Sequence, residues 1–117
     1  MNIEEIRQYC LSLSHVTETV KWDDDLCFTI DNKMFCILWM GSPLKISFKC
    51  SELDFNKFIE KENIIPAPYL AKNKWVQVQS EHVFLKEEWE MNLKNAYRLI
   101  AKKLTKKRQL ELGIINF

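Results

Sequence analysis

The chain has 117 residues, with 17 Lys or Arg against 16 Asp or Glu, so its formal net charge is only +1. A hydrophobic content of 47%, including seven Phe and four Trp, excludes a disordered chain and is enough to fill one core. The apolar run that includes Phe35 to Met40 falls far short of the ~20 residues that a membrane-spanning helix needs.

One domain over residues 1–117 is expected, with a core at about 3–108 and a short helical tail at 105–117. The opening Met1-Asn2-Ile3-Glu4-Glu5 lacks the basic and apolar stretches of a secretion signal, which points to the cytoplasm. Cys10, Cys27, Cys36 and Cys50 include no Cys-x-x-Cys pair and have no neighbouring His, so reduced thiols are expected, with no bound metal and no cofactor.

The first element is a helix from about Ile3 to Leu13, capped by Asn2 with Glu5 reaching back. Ile3, Ile6, Cys10 and Leu13 share one face. Strands follow from Cys27 to Cys50. Asp31-Asn32 tolerates the positive φ angles of a two-residue turn, which sets Ile30 opposite Lys33, Phe28 opposite Phe35 and Cys27 opposite Cys36. That register makes a Cys27–Cys36 bridge conceivable, although a reduced pair suits the cytoplasm. The strand after Gly41-Ser42-Pro43 alternates, with Leu44, Ile46, Phe48 and Cys50 on one face and Lys45, Ser47 and Lys49 on a polar one. Whether those lysines neighbour Trp39 or Leu38 depends on a turn length that the sequence does not fix.

Ser51 caps a second helix running to about Lys61. Pro66-Ala67-Pro68 makes Ile64 to Leu70 an extended or turning connection. Trp75 to Gln79 alternates as a strand, and His82 to Phe84 reads as a short last one. The closing helix begins near Lys86 and buries Trp89, Leu93, Ala96, Tyr97, Ile100 and Leu104. Thr105 caps a final turn of helix that ends at Gly113. Helices framing a meandering antiparallel sheet make an α+β sandwich.

The segment Phe28-Thr-Ile-Asp-Asn-Lys33-Met34-Phe35, the strand ending in Lys49, Ile65-Pro-Ala-Pro-Tyr69, Trp75 and Ala96-Tyr97 occur in an order that resembles the MmcQ/YjbR family. The resemblance spans about residues 3 to 108. It implies a frataxin-type α+β fold with a double-wing arrangement like that of DNA-binding proteins, and DNA as the ligand.

Independently of that resemblance, residues 91–108 carry seven Lys or Arg and no Asp or Glu. Phosphate neutralisation needs such clustering. Candidate DNA contacts are Lys45 and Lys49 on the polar sheet face, Lys72 and Lys74 before Trp75, and Arg98, Lys102, Lys103, Lys106, Lys107 and Arg108 from the last helices. Gln77 and Gln79 are placed to reach base edges or phosphates. Trp75 and Tyr69 read as stacking platforms or, more commonly for such residues, as loop-packing aromatics. The alternative to a ligand is an ordinary solvated surface whose last-helix bases complement a helix dipole.

Two other readings remain. A protein partner would use the sheet face and the Pro-flanked Tyr69 loop, and Asp23-Asp24-Asp25 would hold a divalent ion weakly. Catalysis has little basis, because His15 and His82 lie in no nucleophile motif and two glycines cannot build a phosphate loop. No catalytic residue is assigned.

Overall fold

In the computed structural model, residues 1–22, 25–41 and 43–114 are described. Helix α1 (Ile3–Ser12) starts at a complete capping box, in which the Asn2 side chain accepts from the Glu5 N–H and Glu5 accepts from the Asn2 N–H. Ile6 and Cys10 are fully buried, as their helical spacing requires.

The sheet is antiparallel throughout, with six strands in the order β1-β2-β3-β4-β6-β5. They are β1 (Val16–Lys21), β2 (Asp25–Ile30), β3 (Lys33–Trp39), β4 (Lys45–Lys49), β5 (Ile64–Pro66) and β6 (Trp75–Val78). Helix α2 (Glu52–Phe58), capped by Ser51, follows β4 and ends earlier than expected. The long helix α3 (Lys86–Ala101) packs along β3 and β4, and α4 (Lys106–Leu112) closes the chain. The fold is α+β.

Edge strand β1 has no counterpart in the sequence reading. It lies on the margin with four of its six residues exposed, so hydrophobic alternation never marks it. A cross-strand bond between the Thr17 and Thr29 hydroxyls and a two-pronged ion pair from Arg7 of α1 to Glu18 hold it in place.

The β2–β3 turn matches expectation at its tip, with Asp31 at φ 50° and Asn32 at φ 66° and Ile30 opposite Lys33. Beyond Thr29–Met34 the register slips by a bulge, and Phe28 then faces Cys36 while Cys27 faces Ile37. The extra residue, Phe35, turns into the helix-side core and meets Tyr97 edge-on at 5.7 Å. The expected opposition of Cys27 and Cys36 is therefore wrong. They point to opposite faces of the sheet and cannot bridge, and all four cysteines are free and buried.

Two further expectations change. Ile64–Pro66 forms an edge strand on β6 instead of a bare connection; Pro66 is tolerated because an edge leaves its missing N–H unneeded. Glu81–Val83 is a 3-10 turn, not a strand, with the Ser80 hydroxyl accepting from the His82 N–H. The main core lies between the sheet and the helices. Trp89 is fully buried there, its indole N–H donating to the Glu81 carbonyl at 2.8 Å. The Tyr97 hydroxyl donates to the Ser14 carbonyl, so this tyrosine is a core residue as expected.

Candidate nucleic-acid interface

The face of the sheet away from the helices carries Lys45, Ser47 and Lys49, as their alternation requires, and Lys45 is paired with Trp39. It is not an open polar surface. The chain between Pro66 and Trp75 folds over it, and Ala67 and Leu70 pack on Cys27, Ile37 and Trp75 to form a second, smaller core.

This covering changes the fate of several predicted contacts. Lys49 is only 9% exposed, and its ammonium donates to the Asn73 carbonyl. Gln77 is 6% and Trp75 5% exposed, so neither can reach a ligand. Gln79 lies half-buried just past β6, with its backbone N–H bonded to the Asn63 carbonyl. Trp75 is a packing residue, whereas Tyr69 is fully exposed.

Two open features stand out among the described residues. The first is a cleft of about 360 Å³ lined by Trp22, Trp39, Pro68, Tyr69 and Leu70. Trp22 stacks on Trp39 with ring centroids 5.8 Å apart and planes at 21°. The Trp39 indole N–H donates to the Ser47 hydroxyl at 2.7 Å, which fixes the ring. Trp22 and Tyr69 adopt φ of 47° and 66°. Bulky residues in that region cost about 1–2 kcal/mol each. Lys45 stands beside Trp39, and Lys21 is paired with Asp25, whose carboxylate accepts the Met40 N–H at 3.2 Å. Sequence reasoning did not find this cleft, because Trp22 and Trp39 meet only through strand register and Trp22 carries no motif.

The second feature is the end of the sheet where β4 finishes and β6 begins, Lys49 being paired with Trp75. Burial, then the charges of Lys103 and Lys74, push the Lys49 ammonium below the usual lysine value, so three elements bring positive charge to one place. The Lys74 ammonium lies 5.0 Å from the Phe55 ring centre. Arg98 and Lys102 line an adjoining groove on α3 with Ser51, Asp54, Asn95 and Leu99. Lys72 is exposed in the same loop as Lys74. Among the described residues, no carboxylate lies within 4 Å of these lysines' ammonium groups or of the Arg98 guanidinium.

The remaining predicted bases separate from this group. Lys45 begins β4 and Lys49 ends it, so they are about 13 Å apart along the strand. The chain breaks helix after Ala101, and α4 is tied elsewhere: Arg108 reaches Asp31 of the β2–β3 turn at 3.0 Å and Glu111 at 3.2 Å. Arg108 is thus a structural strut, while Lys106 and Lys107 are exposed beside it.

Asp23 and Asp24, two thirds of the expected cation site, lie outside the described residues, and Asp25 is occupied with Met40. Among the described residues no cluster of three or more His, Cys, Asp or Glu is placed to hold a metal ion. No described helix is long and apolar enough to cross a membrane.

The architecture has solved counterparts. The Deinococcus radiodurans protein DR2400, which carries a DUF419 domain, superposes with a TM-score of 0.88 at 27% identity, covering 97% of this chain and 89% of that one. A structural-genomics target from Pseudomonas syringae superposes with a TM-score of 0.70 at 16% identity, over 85% of this chain and 98% of that one, which shows a shared fold. No curated protein matches. The YjbR family model matches residues 11–99, and the chain belongs to the YjbR family.

Proposed function

We propose that this protein is a non-enzymatic DNA-binding protein that grips phosphates at the basic end of its sheet. The observation that carries this reading is the gathering of Lys49, Lys74 and Lys103, with Arg98 and Lys102 alongside, from parts of the chain far apart in sequence. Like charges brought together raise one another's energy, and a bound phosphate relieves that cost. Lys49 contributes field from beneath, while Lys72, Lys74, Lys102 and Lys103 are free to touch the backbone.

The non-enzymatic part of this reading is supported by the placement of the reactive groups. All four thiols are buried, and the exposed His82 has the Glu81 carboxylate 3.7 Å away. A cytoplasmic location accords with reduced thiols.

Anisotropy titration with labelled duplex DNA tests the reading. About four phosphate contacts predict a roughly 150-fold loss of affinity between about 50 and 200 mM salt. The pair Lys74→Glu and Lys103→Glu should abolish binding at the lower salt. Binding that ignores both salt and charge reversal contradicts the proposal. A protein partner is the second reading, supported by the exposed aromatic cleft, and a nuclease-resistant pull-down lost on Tyr69→Ala would favour it.

A further inference from the structure

The two edges of the sheet are finished differently. Strand β5 has three residues and closes on Pro66, which offers no N–H to a further strand. Strand β1, at the opposite edge, has six residues and no Pro, and Thr17, Thr19, Val20 and Lys21 are exposed.

Strand alternation fixes which backbone groups of β1 are free. Across the two-residue Asp31-Asn32 turn, Ile30 and Lys33 exchange their hydrogen bonds, so Thr29 directs its own toward β1. Thr29 faces Thr17. Thr17, Thr19 and Lys21 therefore bond to β2, while Glu18 and Val20 aim their N–H and C=O groups outward. The Val16 N–H, on the same outward side, donates to the Leu13 carbonyl at 3.3 Å. Among the described residues, nothing is bonded to the outward groups of Glu18 and Val20. A charge on an edge strand ordinarily keeps other strands away. Here the Glu18 carboxylate is held by both prongs of Arg7, at 2.7 and 2.5 Å, which neutralises it.

We propose that β1 is a self-association edge, pairing antiparallel with β1 of a second copy of this chain about a two-fold axis at Thr19. Only a register that sets outward residues opposite one another closes a ladder. Centring the pair on Glu18 opposes two carboxylates. Centring it on Val20 carries the ladder to Trp22, whose φ of 47° has left extended backbone. Centring it on Thr19 sets Glu18 of each copy against Val20 of the other, and their free N–H and C=O groups all find partners. Thr19 then meets Thr19, and Thr17 meets Lys21, pairs with no like charges opposed. Val20, 58% exposed, is laid over the second copy's ion pair between Glu18 and Arg7. A net charge of +1 puts little repulsion between copies. The basic end stays free, because β4 and β6 lie toward the other edge, so this pairing and the DNA reading can fail separately.

The test is sedimentation equilibrium of the full chain from micromolar to millimolar concentration, beside Thr19→Lys and Thr19→Glu. One strand pair covers little area, so the expected dimer is weak, with a dissociation constant in the micromolar range or above. Wild-type protein should pass from monomer to dimer over that range. Each variant alone should stay monomeric, because like charges meet at the axis, and an equimolar mixture of the two should recover the dimer. Thr19 is exposed, and a circular-dichroism melt verifies that both variants fold. Hydrogen exchange supplies a second readout: the Glu18 and Val20 amides should exchange at least about tenfold more slowly in concentrated wild-type protein, and not in Thr19→Lys. A wild-type chain that stays monomeric throughout leaves the edge to a strand of another protein and overturns the proposal. A dimer that survives Thr19→Lys, or a mixture of variants that stays monomeric, overturns it as well.

Discussion

The Lys49 ammonium donates to the carbonyl of Asn73, so a lysine at the end of β4 clasps the loop that folds back over the sheet. The bond holds a positive charge beneath two others, Lys103 and Lys74. Burial and this repulsion lower its folded-state pKa beneath the unfolded value of 10.5, so the native protein releases the proton first. In that window the unfolded chain binds more protons, and stability rises with pH. Wild-type protein should therefore gain stability relative to Lys49→Met as pH climbs from 7 toward 10.5. Urea unfolding of both proteins across that range checks it. A difference that stays flat with pH would show that the charge at Lys49 is not strained.

The cysteines give a second expectation. Burial, together with a hydrogen bond with Cys10 that favours the neutral thiol, raises Cys36 far above its usual range, and burial first of all raises Cys50 to about 12. Thiolate is the reactive form, so native protein should react with a thiol reagent only as fast as it opens. All four should react at once in denaturant. Mild oxidation followed by peptide mapping should yield no Cys27–Cys36 bridge, and finding one would contradict the bulge at Phe35.

These two cases mark where the sequence was legible. Capping pairs act through bonds three residues apart, so the start of α1, the Ser51 cap and the Thr105 cap could be read directly, as could the Asp31-Asn32 turn. The apolar stripe of α3 was equally plain, with Trp89, Leu93, Ala96, Tyr97 and Ile100 buried, and Leu104 buried just past the end of the helix. What escaped depends on contacts remote in sequence. The bulge that parts Cys27 from Cys36 follows from Phe35 meeting Tyr97, and the burial of Lys49, Trp75 and Gln77 follows from a loop whose path no local pattern records. An alternating strand reads as half-exposed until something covers its polar face. Strand β1 lies at an exposed edge and gives no period, so the meeting of Trp22 with Trp39 was hidden with it.

Trp89 anchors the helix-side core, touching Phe48 and Phe84 edge-on at 6.1 and 5.0 Å. Trp89→Ala should cost about 3–5 kcal/mol, from lost burial and the space left behind. Trp89→Phe keeps most of the packing but orphans the Glu81 carbonyl, and should cost about 1–3 kcal/mol. Chemical denaturation midpoints distinguish the two, and equal losses would mean that the indole N–H contributes nothing.

Tyr69 is held at φ 66° with its ring in solvent. Glycine relieves that backbone and alanine does not, so Tyr69→Gly should be more stable than Tyr69→Ala by about 1 kcal/mol. Thermal or urea unfolding of the two variants decides it. The same ordering would identify a residue whose conformation is maintained at the expense of stability, as binding surfaces often require. Equal stability would remove that argument for the cleft.

The most direct test of nucleic-acid binding is a ¹⁵N–¹H correlation spectrum recorded while a short DNA duplex is added. The predicted shifts fall on the backbone of Lys72 and Lys74 and on Arg98, Lys102 and Lys103 at the basic end. The exposed sides of α1 and α4 should stay still. A spectrum unchanged by the duplex, or changed only around α1 or Lys106 and Lys107, would contradict the assignment of the basic end as the binding surface.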